Sequence, residues 1–217
     1  MDTTRTLLLM GGGGHAAVVA DAARAAGWTI AGCLDDAADA AATAAVGLLH
    51  LGAIDDLARV RVDIDPAAFV HAAHGDPDLR RRWLERVPPD AAATVVHPTA
   101  VVSPSARLDA GVFVGPLAIV NARATLETGV IVNSGAIVEH DGHLGAYTHV
   151  APGSVLAGSV KVGPACLIGA GAIVHRGRTI GARATLGAGA DAVSDIPPGV
   201  RAVGVPARPL VAATEPG

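Results

Sequence analysis

Aromatic residues make up only 2% of this 217-residue chain, and cysteine occurs twice. Two cysteines give no disulfide framework. Cys33 and Cys166, each inside an apolar run, read as small buried hydrophobes in a compartment that keeps thiols reduced. A core with so few rings must be assembled from Val, Ile, Leu and Ala, in a narrow and regular architecture. Long apolar stretches are missing too. The opening MDTTRTLLLMGGGG holds one Arg and four or five apolar residues before its glycines. That is too little for a secretory leader or a membrane span, so a cytoplasmic protein without a membrane partner is expected. Strong charge is also lacking. A net charge of −4 is too mild to suggest a nucleic acid partner, but it is unevenly distributed. Residues 150–217 carry six basic groups against three acids, giving +3, and the first 149 residues therefore carry −7. A basic C-terminal half suits an anionic ligand such as a nucleotide phosphate.

What the sequence has in abundance is small and aliphatic residues in strict order. From Val96 to Leu186 an aliphatic residue recurs at every sixth position, sixteen times without a slip. Neither the 3.6-residue period of a helix nor the alternation of a strand produces that spacing; a hexapeptide repeat forming a parallel β-helix does. Four residues after each aliphatic position stands a mostly small residue, such as Ala118, Ala136 or Cys166. The two positions between favour Pro and Gly (Pro116, Pro152, Pro164; Gly111, Gly129, Gly171), the chemistry of tight corners. Three hexads make one triangular coil of 18 residues, so residues 96–191 supply a little over five coils. A solenoid that short needs capped ends and gains from oligomerisation.

The first 90 residues follow another rule. TLLLM at 6–10 reads as a strand, GGGGHAAVVADAARAAG as a Gly-rich turn entering a helix, and WTIAGCLDD at 28–36 as a second strand ending in two acids. Gly11, Gly13 and Ala16 approximate G-x-G-x-x-A, with Asp35 about 20 residues further on. Two more strands are expected near 46–51 and 67–72, followed by a polar helix over 76–86. The expected fold is therefore an α/β Rossmann-like βαβ domain over 1–92, a β-helix over 93–193 and a C-terminal tail over 194–217. About half of a full dinucleotide-binding fold is present, so a nucleotide-sugar or simple nucleotide is a better guest than NAD.

One stretch, NSGAIVEHDGHLGAYTHV at 133–150, breaks the aliphatic texture with three histidines and two acids. On the hexad register His140 and Asp141 occupy the corner slots that Pro and Gly fill elsewhere, so the chain gives up good turn chemistry there. A histidine that titrates near neutrality, beside a carboxylate that fixes its tautomer, is the pattern of a general base and its orienter. One coil later the equivalent slot is Gly158, whose backbone N–H could face a developing oxyanion. His149 lies nine residues from His140, half a coil away, so the two emerge from opposite edges and cannot share a site within one subunit. If both function, the site lies between chains. No metal is expected, because His140, His143 and His149 are spread around the coil and cannot converge on one ion.

Together GGGGHA (11–16), LDD (34–36), NSGAIVEHD (133–141), THVAPG (148–153) and IPPGVRAVGVPARPL (196–210) resemble the bacterial nucleotide-sugar acetyltransferases of the sialic-acid O-acetyltransferase type. That group includes N-acetyltransferases acting on UDP-linked 4-amino sugars and on GDP-perosamine. The resemblance spans nearly the whole chain. It implies a left-handed β-helix and a homotrimer with acetyl-CoA, but no metal, between subunits. It also implies direct acetyl transfer to the amino group of a nucleotide-linked amino sugar. By motif position it makes His140 the base, Asp141 its orienting acid, and Asn133 and His149 contacts near the reacting centre. Gly158 becomes the donor to the thioester carbonyl, and His149 and Ala188 flank the cofactor. Gly13, Gly14 and His15 fall on the phosphate side of the nucleotide-sugar, Asp35 and Asp36 on its nucleoside. Sugar O-acetylation is the nearest alternative; a non-catalytic nucleotide-sugar-binding scaffold and an NAD oxidoreductase are more distant ones.

Overall fold

A computed structural model describes residues 5–37, 44–45 and 47–210. The first four residues, on which part of the leader argument rests, Val46 of the expected third strand and the last seven residues of the expected tail lie outside the described residues. Among those described, no helix is long and apolar enough to cross a membrane.

The N-terminal domain is built on a four-stranded parallel sheet whose strands lie in the order His50–Gly52, Trp28–Leu34, Arg5–Met10, Phe69–Ala72. Strand β1 (Arg5–Met10) lies inside it, and Leu7 to Met10 are wholly buried, as a run apolar on both faces requires. Helix α1 (Gly14–Ala25) packs Ala16, Val19, Ala20 and Ala23 inward, small side chains that let it approach closely. Strand β2 (Trp28–Leu34) follows, then β3 (His50–Gly52), which begins four residues later than the expected 46–51. A short 3₁₀ turn (Ile54–Asp56) leads into helix α2 (Leu57–Ile64), which sequence reasoning did not anticipate: LARVRVDI is short and its charges interrupt the apolar stripe. Strand β4 (Phe69–Ala72) and helix α3 (Pro77–Leu84) complete the domain. Helix α3 starts with Pro at its first position and with the Asp76 carboxylate accepting from the Leu79 N–H at 2.8 Å, two standard start signals.

From Val95 the chain becomes a left-handed parallel β-helix of two-residue strands joined by four-residue corners. Strands pair with those 18 residues away, as in Ile131↔His149↔Leu167, building three flat sheets. The second residue of each strand points inward, and Val114, Leu126, Val138, Val150 and Ile168 are all fully buried in one continuous core. Where the corner's third residue is Gly111, Gly129, Gly153 or Gly171, φ lies between +64° and +71°, the left-handed conformation that a sharp bend demands. The N–H of the corner's second residue, where Pro116, Pro152 and Pro164 stand, is not given to the backbone of a neighbouring coil among the described residues, so proline is tolerated there. Residues past 193, expected as a tail, instead continue the prism. Arg201–Val203 pairs parallel with Thr185–Leu186, and Arg208–Pro209 returns antiparallel to close that end.

The first residue of each strand points outward and gives each face its character. Face A presents Val95, Phe113, Ile131 and His149; face B presents Val101, Ile119, Ile137, Val155 and Ile173; face C presents Arg107, Thr125, His143, Lys161 and Thr179. The N-terminal domain covers face A. Phe113 and Ile131 are buried against Leu7, Leu9, Ala16 and Val19, each worth roughly 1.5–3 kcal/mol of apolar burial. Arg80 of α3, only 1% exposed, ties the halves together by donating to the carbonyls of His74 (2.9 Å), Gly75 (2.7 Å), Gly129 (3.0 Å) and Tyr147. Asp78 adds a bidentate pair with Arg183 on the β-helix, at 2.7 and 3.2 Å.

Candidate active site

His140 stands on the corner between Ile137 of face B and His143 of face C, and is therefore the vertex opposite face A. Its Nδ1 lies 2.8 Å from Asp141 Oδ2. Asp141 takes up the left-handed slot itself, with φ 60°, and the same carboxylate accepts two hydrogen bonds from Arg123 one coil earlier, at 2.7 and 2.9 Å. The guanidinium first, and the imidazole second, hold the Asp141 carboxyl far below the usual carboxylate range. It is an anion at every physiological pH, so it can hold the Nδ1 proton of a neutral His140 and leave Nε2 as the free base position. That Nε2 is directed at Gly158: a Cβ built there would stand 2.7 Å from it. Only glycine leaves room for the ring, and the Gly158 N–H has no protein acceptor among the described residues. A half-buried imidazole and the buried backbone of Gly158, whose N–H is unused, thus adjoin on one vertex, an arrangement able to take up a proton beside a developing oxyanion.

A second group forms across the prism, where face A meets the N-terminal domain. Asn133 Nδ2 lies 3.1 Å from His149 Nε2, and the His15 ring centroid is 6.1 Å from that of His149 and 5.5 Å from Phe113. Burial, with Arg80 adding to it, lowers His149 to about 4; burial, then the neighbouring His149, lowers His15 to about 3. Buried His71, whose Nδ1 lies 2.9 Å from the Ala93 carbonyl, is lowered by burial to about 4. All three are neutral at pH 7. His149 is thus an uncharged hydrogen-bonding group, with the Asn133 amide donating to its Nε2.

The other expected residues divide. Gly13 and Gly14 open α1 with free space where a side chain would be, and their N–H groups start a helix, a natural seat for an anion. Asp35 spends its carboxylate on the loop backbone, accepting from Gly12 N–H at 2.5 Å and Ala37 N–H at 2.8 Å. Asp36 accepts from Ile54 N–H at 2.9 Å and lines a cavity of about 320 Å³ with Asp55, Arg82, Trp83 and Arg86, beside the carboxyl ends of the sheet. Ala188 is exposed on the corner between faces A and B, two coils beyond Pro152, and joins neither histidine group within the chain. Sequence reasoning missed Arg123 and Arg80. Arg123 could have been found by counting 18 residues back from Asp141 in the corner column, whereas nothing in PDLRRRWL marks Arg80 as the arginine that is buried. Among the described residues, no cluster of three or more His, Cys, Asp or Glu could hold a metal.

A Rossmann-like half joined to a left-handed hexapeptide β-helix, with a His–Asp pair on one vertex, defines an acyltransferase of the hexapeptide type. Comparison with known proteins agrees. Residues 6–87 match the PglD N-terminal domain family. Perosamine N-acetyltransferase from Caulobacter crescentus, solved with CoA and GDP-perosamine, is 37% identical over 95% of this chain and 97% of its own, with a TM-score of 0.88. The acetyltransferase domain of PglB from Neisseria gonorrhoeae is 35% identical over 95% and 100% of the two chains, with a TM-score of 0.86. WeeI from Acinetobacter baumannii, 21% identical with a TM-score of 0.76, shares the fold. No curated protein sequence matches the chain. The chain belongs to the hexapeptide-repeat nucleotide-sugar N-acetyltransferases.

Proposed function

We propose that this protein transfers the acetyl group of acetyl-CoA to the amino group of a nucleotide-linked amino sugar, as a homotrimer whose sites lie between subunits. The observation that carries the reading is the His140–Asp141 base aimed at Gly158 on a vertex opposite the nucleotide-binding half. A sugar seated by its nucleotide on face A cannot reach the His140 of its own chain across the prism. A neighbouring chain's His140 can supply the base, while His149, Asn133 and His15 lie beneath the Gly-rich loop of the chain that holds the nucleotide.

Face B supports the same assembly. Its outward ladder is entirely aliphatic from Val101 to Ile173, where face C is polar, and Val101 and Ile173 are 61% and 44% exposed. A continuous strip of that kind beside the His140 vertex suits contact with a second copy. In the transfer step, His140 Nε2 takes a proton from the amine as its nitrogen attacks the thioester carbonyl. The Gly158 N–H stabilises the oxyanion, and collapse releases CoA thiolate. Most of the acceleration comes from holding amine and thioester together. Free, buried Cys33 and Cys166 support a cytoplasmic setting. The test is a thiol-release assay with acetyl-CoA against UDP-, GDP- and dTDP-linked amino sugars. Acetylation of at least one amine, lost on His140→Ala, is expected, and no release with any acceptor would overturn the reading.

A further inference from the structure

We infer that Arg123 is a positioning residue for the base, holding Asp141 in register with His140 and offsetting part of the carboxylate's charge. The inference rests on the assignment of His140 as the base. Three observations carry it. Arg123 grips both oxygens of Asp141, Nε to Oδ1 at 2.7 Å and Nη2 to Oδ2 at 2.9 Å, and Oδ2 is the oxygen that also meets His140 Nδ1 at 2.8 Å. The fork fixes the plane of the carboxylate, and through it the direction of the ring. Arg123 also occupies a left-handed corner slot, φ 61°, directly below that of Asp141 at φ 60°, although glycine fills this slot at Gly111, Gly129 and Gly153. Seven corners among the described residues hold non-glycine residues in this conformation, so the slot does not by itself mark a site; what it does is seat Arg123 directly beneath Asp141, within reach of its carboxylate. Finally, the Arg123 N–H is held by Ser105 Oγ at 3.1 Å another coil down, so the base of the arginine is anchored as well as its tip.

The charge argument has a definite sign. A lone carboxylate beside an imidazole favours the imidazolium, which cannot act as a base; a guanidinium on that carboxylate opposes the effect. The other groups around His140 are Glu139, whose Oε2 accepts the His140 N–H at 3.1 Å, Arg176 two coils along the same corner, and the His143–Glu127 pair and Lys161 on face C. None of these holds Asp141.

The test compares wild type with Arg123→Ala and Arg123→Lys by NMR titration of the His140 ring, assigned through His140→Asn, in the ligand-free full-length protein. Thiol-release rates over pH 6–9 are measured alongside with the acceptor panel. Arg123→Ala is expected to raise the His140 titration midpoint by roughly one unit and to move the acid limb of the rate profile upward with it. Arg123→Lys, which keeps the charge but not the fork, should leave the midpoint near wild type and lower kcat with little change in KM. A midpoint unmoved in Arg123→Ala, with a merely lowered melting temperature, overturns the inference. A moved midpoint in a protein that acetylates no acceptor leaves the inference standing and overturns the function instead.

Discussion

The imidazole Nε2 of His140 lies 2.7 Å from the point where a Cβ on Gly158 would stand, so base and glycine are fitted to one another across adjacent coils. The Gly158 backbone is not in the left-handed region, so alanine there threatens the ring rather than the chain. Gly158→Ala is expected to keep a near wild-type melting temperature by circular dichroism while the ring swings off Asp141. Thiol release should then fall by about 10²–10⁴, the range ascribed to general-base catalysis.

The proposed sharing of one site between two chains predicts complementation in mixed assemblies. His140→Ala and His149→Ala are each expected to lose about 10²–10⁴ in rate. Co-refolded in equal amounts, the two variants should regain about one quarter of wild-type activity, because that share of the sites in random trimers pairs an intact His140 with an intact His149. Mixtures as inactive as their parents would place the whole site within one chain.

Face B gives a separate handle on assembly. Ile173 is outward-facing and 44% exposed in the single chain, so a lysine there fits the monomer but not an apolar contact between copies. Ile173→Lys should convert a species of three chains by light scattering into one, with the β-sheet spectrum retained and acetyl transfer lost.

The buried histidines make stability depend on pH. His15, His71 and His149 are lowered from the ordinary 6.5 to about 3, about 4 and about 4. Between those values the unfolded chain binds more protons than the folded one, so stability falls as pH falls below about 6.5 and is unaffected by these groups above it. Each contributes at most about 1.4 kcal/mol per pH unit across that interval. Urea unfolding between pH 7.5 and 4.5 should show a steep loss below 6.5. His71→Gln, which keeps a polar group near the Ala93 carbonyl, should reduce the slope by about a third.

The repeat was legible because one geometric constraint recurs in it: a prism three strands around admits one aliphatic side chain per strand, and sixteen such residues wrote that constraint into the sequence. The same register put His140, Asp141 and Gly158 at one vertex before any coordinates were known. Helix α2 and the buried Arg80 were not legible. Helix α2 is too short to display a period, and Arg80 is buried by contacts with carbonyls on the β-helix, 49 and 67 residues away, which no local pattern encodes. The environment of His149 depended on the same docking. Its spacing gave the face it stands on, but not the cover provided by His15 and the N-terminal domain.

The corner column also bears on how far this protein is from its thermal ceiling. Among the described residues, seven that are not glycine, including Leu117, Ala165 and Arg183, sit at φ between 56° and 62°. At about 1–2 kcal/mol each, their combined cost rivals the whole net stability of an ordinary domain. Arg123 and Asp141 at these corners hold one another and His140, and Arg183 pairs with Asp78 of the docked helix. Leu117 is 69% exposed, and asparagine or glycine there would release strain without emptying the core. The β-helix is thus a scaffold with unused headroom, one that natural drift or deliberate redesign can draw on without touching its chemistry.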